Sequence, residues 1–165
     1  MSVINFDFRN QVLSHNASLS YCYQCATCSS GCPVALATSG RYNPRKIIEH
    51  SILGLQDKLI EGKDATVWLC STCQTCVELC PQKVELTEIF TLIKNKSFEQ
   101  GKIPDAFLLQ GQTIADIGIA IPYSKAIEFR REKLGLPIVK TAPVDEIKKI
   151  LKETNFEINL AKVGK

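Results

Sequence analysis

Histidine, tryptophan and methionine are scarce in this chain of 165 residues: two, one and one. His15 and His50 have no partner at metal-ligand spacing, which excludes a histidine-based metal site and leaves both as structural residues. No long hydrophobic run is present either. The most apolar stretch, residues 114–121, carries Asp116 and falls far short of the roughly 20 residues of a spanning helix. The first residues show neither a basic region followed by an apolar core nor a small-residue cleavage site, so export is not expected and the reading is a cytoplasmic chain without a membrane partner. Neither sign of charge dominates. Lys+Arg exceeds Asp+Glu by 20 to 17, and there is no basic block with interleaved aromatics, so nucleic acid is not an expected partner. Also missing are a phosphate-cradling glycine loop and a nucleophile paired with a base, so the chain is not expected to be an enzyme by itself. Runs of alternating strand residues between hairpin turns are absent as well, and the expected class is all-α.

Cysteine is abundant. Eight residues form a repeat in which Cys22-x-x-Cys25-x-x-Cys28-x-x-x-Cys32-Pro33 recurs as Cys70-x-x-Cys73-x-x-Cys76-x-x-x-Cys80-Pro81, offset by 48 residues throughout, with Thr27 matched by Thr75. A reducing compartment does not maintain disulfides, so eight cysteines there point to metal or redox chemistry. Zinc sites take two separated Cys-x-x-Cys pairs, a poor match to two three-plus-one runs closed by proline. The spacing instead suits two four-iron, four-sulfur clusters. A tight loop aims three sulfurs at one cube, and in two-cluster proteins the fourth cysteine of the run ligates the other cube. The expected ligand sets are Cys22, Cys25, Cys28 and Cys80 for one cluster, and Cys70, Cys73, Cys76 and Cys32 for the other. Because only four residues separate Cys28 from Cys32, the cubes are expected on the order of 10 Å apart. With no open coordination site, they would pass one electron at a time. Each cube with its thiolates carries about −2, which takes the formal net charge of +3 to roughly −1.

Three segments are expected: an arm over residues 1–20 containing a short helix, a domain over 21–137, and a tail over 138–165 with an amphipathic helix. Asn43-Pro44 reads as a helix start with Ile47, Ile48, Ser51, Ile52 and Leu55 on one face. Gly54 and Gly62 bracket a second, short helix. Helical spacing of Leu86, Ile89, Phe90 and Ile93 predicts a helix over 85–100 stopped by Gly101. Further helices are predicted after Ile103-Pro104 to about residue 120, over 124–134, and over 144–153, where Lys148, Lys149 and Lys152 form a solvated face. The 37 residues between Cys32 and Cys70 carry helical signals, which favours an alpha-helical ferredoxin over the compact β-hairpin kind. Ser29, Ser30 and Gly31 are small enough to let N–H groups approach cluster sulfur, where the second motif has Val77, Glu78 and Leu79, so either unequal potentials or a plain difference in packing is expected. Trp68, next to Cys70, is expected in the core, with an electron path or docking face as its other role.

With these motifs in hand, the chain resembles the C subunit of heterodisulfide reductase, a family of methanogenic archaea and their relatives. The likeness is carried by Cys22-Tyr23-Gln24-Cys25, Asn43-Pro44-Arg45-Lys46-Ile47-Ile48, Trp68-Leu69-Cys70-Ser71-Thr72-Cys73-Gln74-Thr75-Cys76, Cys80-Pro81-Gln82-Lys83-Val84 and Arg131-Glu132-Lys133-Leu134-Gly135-Leu136-Pro137. The resemblance implies a wire in a soluble hetero-oligomer of heterodisulfide reductase. Electrons would pass from an A subunit with flavin and iron-sulfur clusters to a B subunit with non-cubane clusters, where the coenzyme M–coenzyme B disulfide is reduced. A hydrogenase or formate dehydrogenase would supply them, and the flavin would bifurcate them so that ferredoxin is reduced too. Related chains serve sulfur-oxidising or sulfate-reducing complexes, and a free two-cluster ferredoxin is the remaining alternative. The long apolar extension after Cys80 favours a docked chain over a free carrier.

Overall fold

A computed structural model describes residues 3–60, 65–139 and 143–163. Among them there are helices and turns and no strand, as the all-α expectation required. The chain divides into two compact units at Ile103 and Pro104, inside the 21–137 span that the sequence reading treats as one domain.

In the first unit, helix α1 (Phe6–His15) begins at Asn5, whose side chain accepts from the Phe8 N–H. The expected arm is packed structure, because Phe8, Val12 and Leu19 are buried, the last in a 3₁₀ turn over Ala17–Tyr21. The first cysteine motif follows with α2 (Thr27–Ser30) and α3 (Pro33–Ala37). Helix α4 (Pro44–Leu53) starts as its Asn-Pro signal predicts, with Asn43 as cap and Pro44 in the first turn. It ends at Gly54, and α5 (Gln56–Leu59) comes next, while Gly62 lies outside the described residues. A 3₁₀ turn over Thr66–Leu69 leads into the second motif with α6 (Thr75–Glu78), and α7 (Leu86–Glu99) closes the unit before Gly101.

Helices α1, α4 and α7 pack on one another, and α2 packs on α6. Val12, Ile48, Val67, Ile89, Phe90 and Ile93 fill the space between them, each at most 1% exposed. The Tyr42 and Phe90 rings meet edge to face with their centroids 6.4 Å apart, and the whole tyrosine is 1% exposed. Polar bonds fix α1 against the end of α4. Asn5 N donates to Gly54 O at 2.9 Å, Arg9 Nε to Ile52 O at 2.8 Å, and Asn5 Nδ2 to Gln56 Oε1 at 2.7 Å.

The second unit contains α8 (Asp105–Ile117), ended by Gly118 in the left-handed region, α9 (Lys125–Lys133) capped by Ser124, α10 (Val144–Glu153) and α11 (Phe156–Leu160). Helix α10 packs on α8 and on α11. A Cβ at Gly111 would stand 2.9 Å from Phe156 Cζ, so the glycine lets that ring close onto α8. None of the described residues of this unit is buried, and Ile121, Leu134 and Ile138 are 73%, 73% and 94% exposed. Lys148, Lys149 and Lys152 face solvent.

Gly54 carries a prediction. Its φ is +70°, and a Cβ there would meet Asn5 O at 2.6 Å, a backbone atom that no side-chain rotation can move away. Gly54→Ala adds this clash to about 1–2 kcal/mol for the left-handed backbone. The expected outcome is a melting temperature lowered by several degrees together with faster hydrogen exchange at the Asn5 and Arg9 amides. Unchanged exchange at both would show that α1 is held by other contacts.

Candidate metal centres

The repeat extends from the cysteines to the backbone. Gln24 and Ala26 have φ of 59° and 67°, and their equivalents 48 residues on, Thr72 and Gln74, have 55° and 67°. A non-glycine residue in this region costs about 1–2 kcal/mol, and each loop uses two. Their effect is to wind Cys-x-x-Cys-x-x-Cys into a concave loop whose amides and sulfurs point inward. Thr72 N accordingly donates to Cys70 Sγ at 3.4 Å. After each loop a one-turn helix carries the third cysteine, and the Cys-Pro pair leads away from it.

Two cavities result. The first is lined by Cys22, Cys25, Cys28 and Cys80, and the second by Cys32, Cys70, Cys73 and Cys76. The fourth cysteine of each run thus stands with the other run's three. None of the eight is joined in a disulfide. Cys32 Sγ accepts from Ala35 N and Cys80 Sγ from Val84 N, each at 3.4 Å. Cys25 Sγ meets Thr27 Oγ1 at 3.3 Å, and Cys73 Sγ meets Thr75 Oγ1 at 3.4 Å.

These contacts set the thiol chemistry. The Thr27 and Thr75 hydroxyls hold Cys25 and Cys73 below the usual thiol range by stabilising the thiolates. Burial pushes Cys28 up, with Cys22, Cys25 and Cys80 adding like-charge repulsion. Burial likewise pushes Cys76 up to about 12, with Cys70, Cys28, Cys32 and Cys73 contributing. The neighbours of Cys28 and Cys76 are the other members of their own cavities, and Cys28 also acts on Cys76, so the two sites are close. Four thiols in a largely apolar pocket make a soft donor set suited to iron-sulfur clusters. Among the described residues, no His, Cys, Asp and Glu side chains converge as they would on one ion. Gln24 also turns toward sulfur. Its Nε2 reaches Cys22 Sγ at 3.4 Å, and its buried Oε1 finds no partner.

The small residues of the first motif serve packing and local bonding, one of their two expected roles. Ser29 Oγ donates to Asn43 Oδ1 at 2.8 Å and accepts from Arg45 N at 3.0 Å, tying α2 to the cap of α4. Ser30 Oγ and Gly31 N both donate to Thr27 O. Gly31 makes room for packing, since a Cβ there would stand 2.2 Å from Leu79 Cδ1. Gly31 and Leu79 are equivalent positions of the repeat, and equivalent residues meet only near the axis that relates the two halves. Helices α2 and α6 therefore cross on a pseudo-two-fold axis.

Trp68 packs at the margin of the core and donates from Nε1 to Ser97 Oγ at 3.3 Å. His15 and His50 line neither cavity. Two residues that the sequence reading passed over do lie at the second site. Tyr42 lines that cavity, and Lys94 Nζ donates to Cys70 O at 2.9 Å.

The fold and the paired cavities define a two-cluster iron-sulfur protein, and the model of the 4Fe-4S dicluster domain matches residues 18–84. The chain is 34% identical over 146 residues to the C subunit of the H(2):CoB-CoM heterodisulfide,ferredoxin reductase of Methanothermobacter marburgensis, covering 85% of this chain and 77% of that one. It is 31% identical over 169 residues to the second iron-sulfur C subunit of the CoB--CoM heterodisulfide reductase of Methanocaldococcus jannaschii, covering 93% and 88%. A protein of Archaeoglobus profundus described as like the heterodisulfide reductase C subunit is 34% identical over 144 residues, covering 84% and 74%. The chain belongs to the family of the iron-sulfur C subunit of heterodisulfide reductase. It is a non-catalytic electron-transfer subunit with two four-iron, four-sulfur clusters. No helix among its described residues is long and apolar enough to cross a membrane.

The thiol shifts predict an order of alkylation in the cluster-free chain. A lowered pKa means more thiolate at neutral pH, so iodoacetamide should label Cys25 and Cys73 first and Cys76 last. Mass spectrometry of a time course reads the order. Equal labelling of all eight would mean that the loops take shape only around the clusters.

Proposed function

We propose that Cys22, Cys25, Cys28 and Cys80 ligate one cluster and Cys32, Cys70, Cys73 and Cys76 the other. In this reading the chain relays electrons from the flavin-bearing A subunit to the catalytic B subunit, which reduces the coenzyme M–coenzyme B disulfide of methanogenesis. The single observation carrying the ligand assignment is the pair of four-thiol cavities, each completed by the Cys-Pro end of the other motif. When bound, a cluster of this kind takes up and gives back one electron at a time. The chain's residues hold it by thiolate, surround it with apolar side chains, and leave Cys25 and Cys73 at the exposed edge of each site. Those edges suit electron entry and exit.

The assignment to a heterodisulfide reductase complex rests on the names of the relatives, and a cytoplasmic location is part of the proposal. The Methanococcus maripaludis relative, 33% identical over 147 residues, is the C2 subunit of an H(2)/formate:CoB-CoM heterodisulfide,ferredoxin reductase, which favours a hydrogenase or formate dehydrogenase as the electron source. The apolar side chains exposed on the second unit supply surface for docked neighbours. A second reading, implied by the resemblance to chains of sulfur-oxidising and sulfate-reducing complexes, has the complex act on another sulfur compound.

Two double variants test the ligand sets. Cys22→Ala with Cys80→Ala should leave one cluster intact and about half the iron, whereas Cys70→Ala with Cys80→Ala should remove both clusters. If each motif instead held its own four, the second pair would be the one to retain half the iron. The complex is tested by anaerobic purification from native cells with mass spectrometry of what accompanies the chain. A flavoprotein and a cysteine-rich partner are expected, and recovery of the loaded chain alone would favour a free carrier.

A further inference from the structure

The two sites match so closely that most influences on their clusters cancel. Thr27 and Thr75 act alike on Cys25 and Cys73, and Val84 N and Ala35 N act alike on Cys80 and Cys32. Helices α2 and α6 present their first turns in the same way. The linings also differ, and the charged and hydroxyl groups among the differences matter most. At the second site Lys94 donates to the Cys70 carbonyl while its ammonium lies 5.9 Å from the centre of the Trp68 ring, which holds the charge in place. Lys94 is half-buried, and among the described residues no carboxylate pairs with it. Tyr42 is 1% exposed and lines the same cavity as Cys32, Cys70 and Cys76. Toward a thiolate in that cavity, a tyrosine hydroxyl can act only as donor.

The first site has weaker counterparts. Gln24 supplies a neutral amide donor to Cys22. Arg45 lines the cavity, but its guanidinium is 3.8 Å from Glu49, and the two side chains are 34% and 42% exposed, so the charge is both paired and screened. Two features pull the other way. Cys32 and Cys76 are only 7% exposed, which disfavours extra negative charge at the second site, and Glu78 stands where the first motif has Ser30. Glu78 is exposed and screened, and both sites share an open edge at Cys25 or Cys73, so the burial difference is partial. A fixed, unpaired cation and a buried hydroxyl donor in that same low-dielectric surrounding act more strongly.

We propose that Lys94 and Tyr42 make the site of Cys32, Cys70, Cys73 and Cys76 the better electron acceptor, so that an electron taken up at the site of Cys22, Cys25, Cys28 and Cys80 settles at the second. This rests on the ligand sets proposed above and gives them an order. Lys94 and Tyr42 are positioning residues that act through Cys70.

An anaerobic redox titration of the full loaded chain, followed by electron paramagnetic resonance, tests the order. The wild-type chain should show two midpoints. Lys94→Gln and Tyr42→Phe should each lower the upper midpoint and leave the lower one in place, and Lys94→Arg, which keeps the charge, should restore it. Coincident wild-type midpoints, or variants that move the lower midpoint or neither, would overturn the proposal. Should Lys94→Gln lose its clusters, Tyr42→Phe decides, since it deletes one oxygen and keeps the ring on Phe90. Iron content measured on the same samples reports separately on the ligand sets: a wild-type chain without two full clusters would contradict those sets, not the role of Lys94.

Discussion

Four sulfurs must converge on each of two cavities, and one tight loop can aim only three. The chain meets this constraint by sending the fourth cysteine of each run across to the other. Much of the first unit follows from that exchange. The one-turn helices α2 and α6 pack on each other, which brings the equivalent positions Gly31 and Leu79 together, and the glycine gives the Leu79 side chain its room. The loops must turn inward, which keeps Gln24, Ala26, Thr72 and Gln74 in the left-handed region. Such strained backbone persists only where surrounding structure holds it. Here α4 and α7 provide the hold, through the Ser29–Asn43 bond on one side and the packing of α6 against α7 on the other.

How far the sequence reveals this depends on the range of the interaction. The cysteine repeat, the Asn43-Pro44 cap and the apolar spacing of Leu86, Ile89, Phe90 and Ile93 are local patterns, and the helices form where they predict. Features that need partners distant in the chain were not legible. Nothing near Arg9 announces Ile52, and nothing near Asn5 announces Gly54, so residues 1–20 read as an arm although α1 is fastened to α4. Tyr42 lies outside any helix, and no periodicity marks it as a buried residue facing a thiol cavity. Lys94 follows the buried Ile93 at the boundary of the apolar face of α7, where a lysine ordinarily reads as solvated. Gly31 drew notice for its smallness. Its reason became visible only once Leu79 was seen opposite it.

The pseudo-two-fold arrangement also explains why small asymmetries carry weight. In an arrangement of unrelated sites, loop conformation, helix ends and hydrogen bonds would all differ, and no single residue could be held responsible for a difference in potential. Here the repeat matches those contributions in pairs. An unmatched residue beside a cavity, such as Tyr42 or Lys94 on one side and Gln24 or Arg45 on the other, therefore acts against a partly balanced background.

Closeness of the two sites imposes a last constraint on the proposed relay. Two clusters on the order of 10 Å apart, in surroundings with an effective dielectric constant of about 20, would repel by about 1–2 kcal/mol for each unit of charge they both gain. That is about a tenfold penalty on placing a second electron while the first remains. The chain consequently favours carrying one electron at a time, whereas reducing a disulfide to two thiols takes two. Storage of the first electron until the second arrives must then fall to whichever partner meets the disulfide. A chain with no catalytic group of its own is suited to that division, because its task ends when each electron leaves the exposed edge of the accepting site.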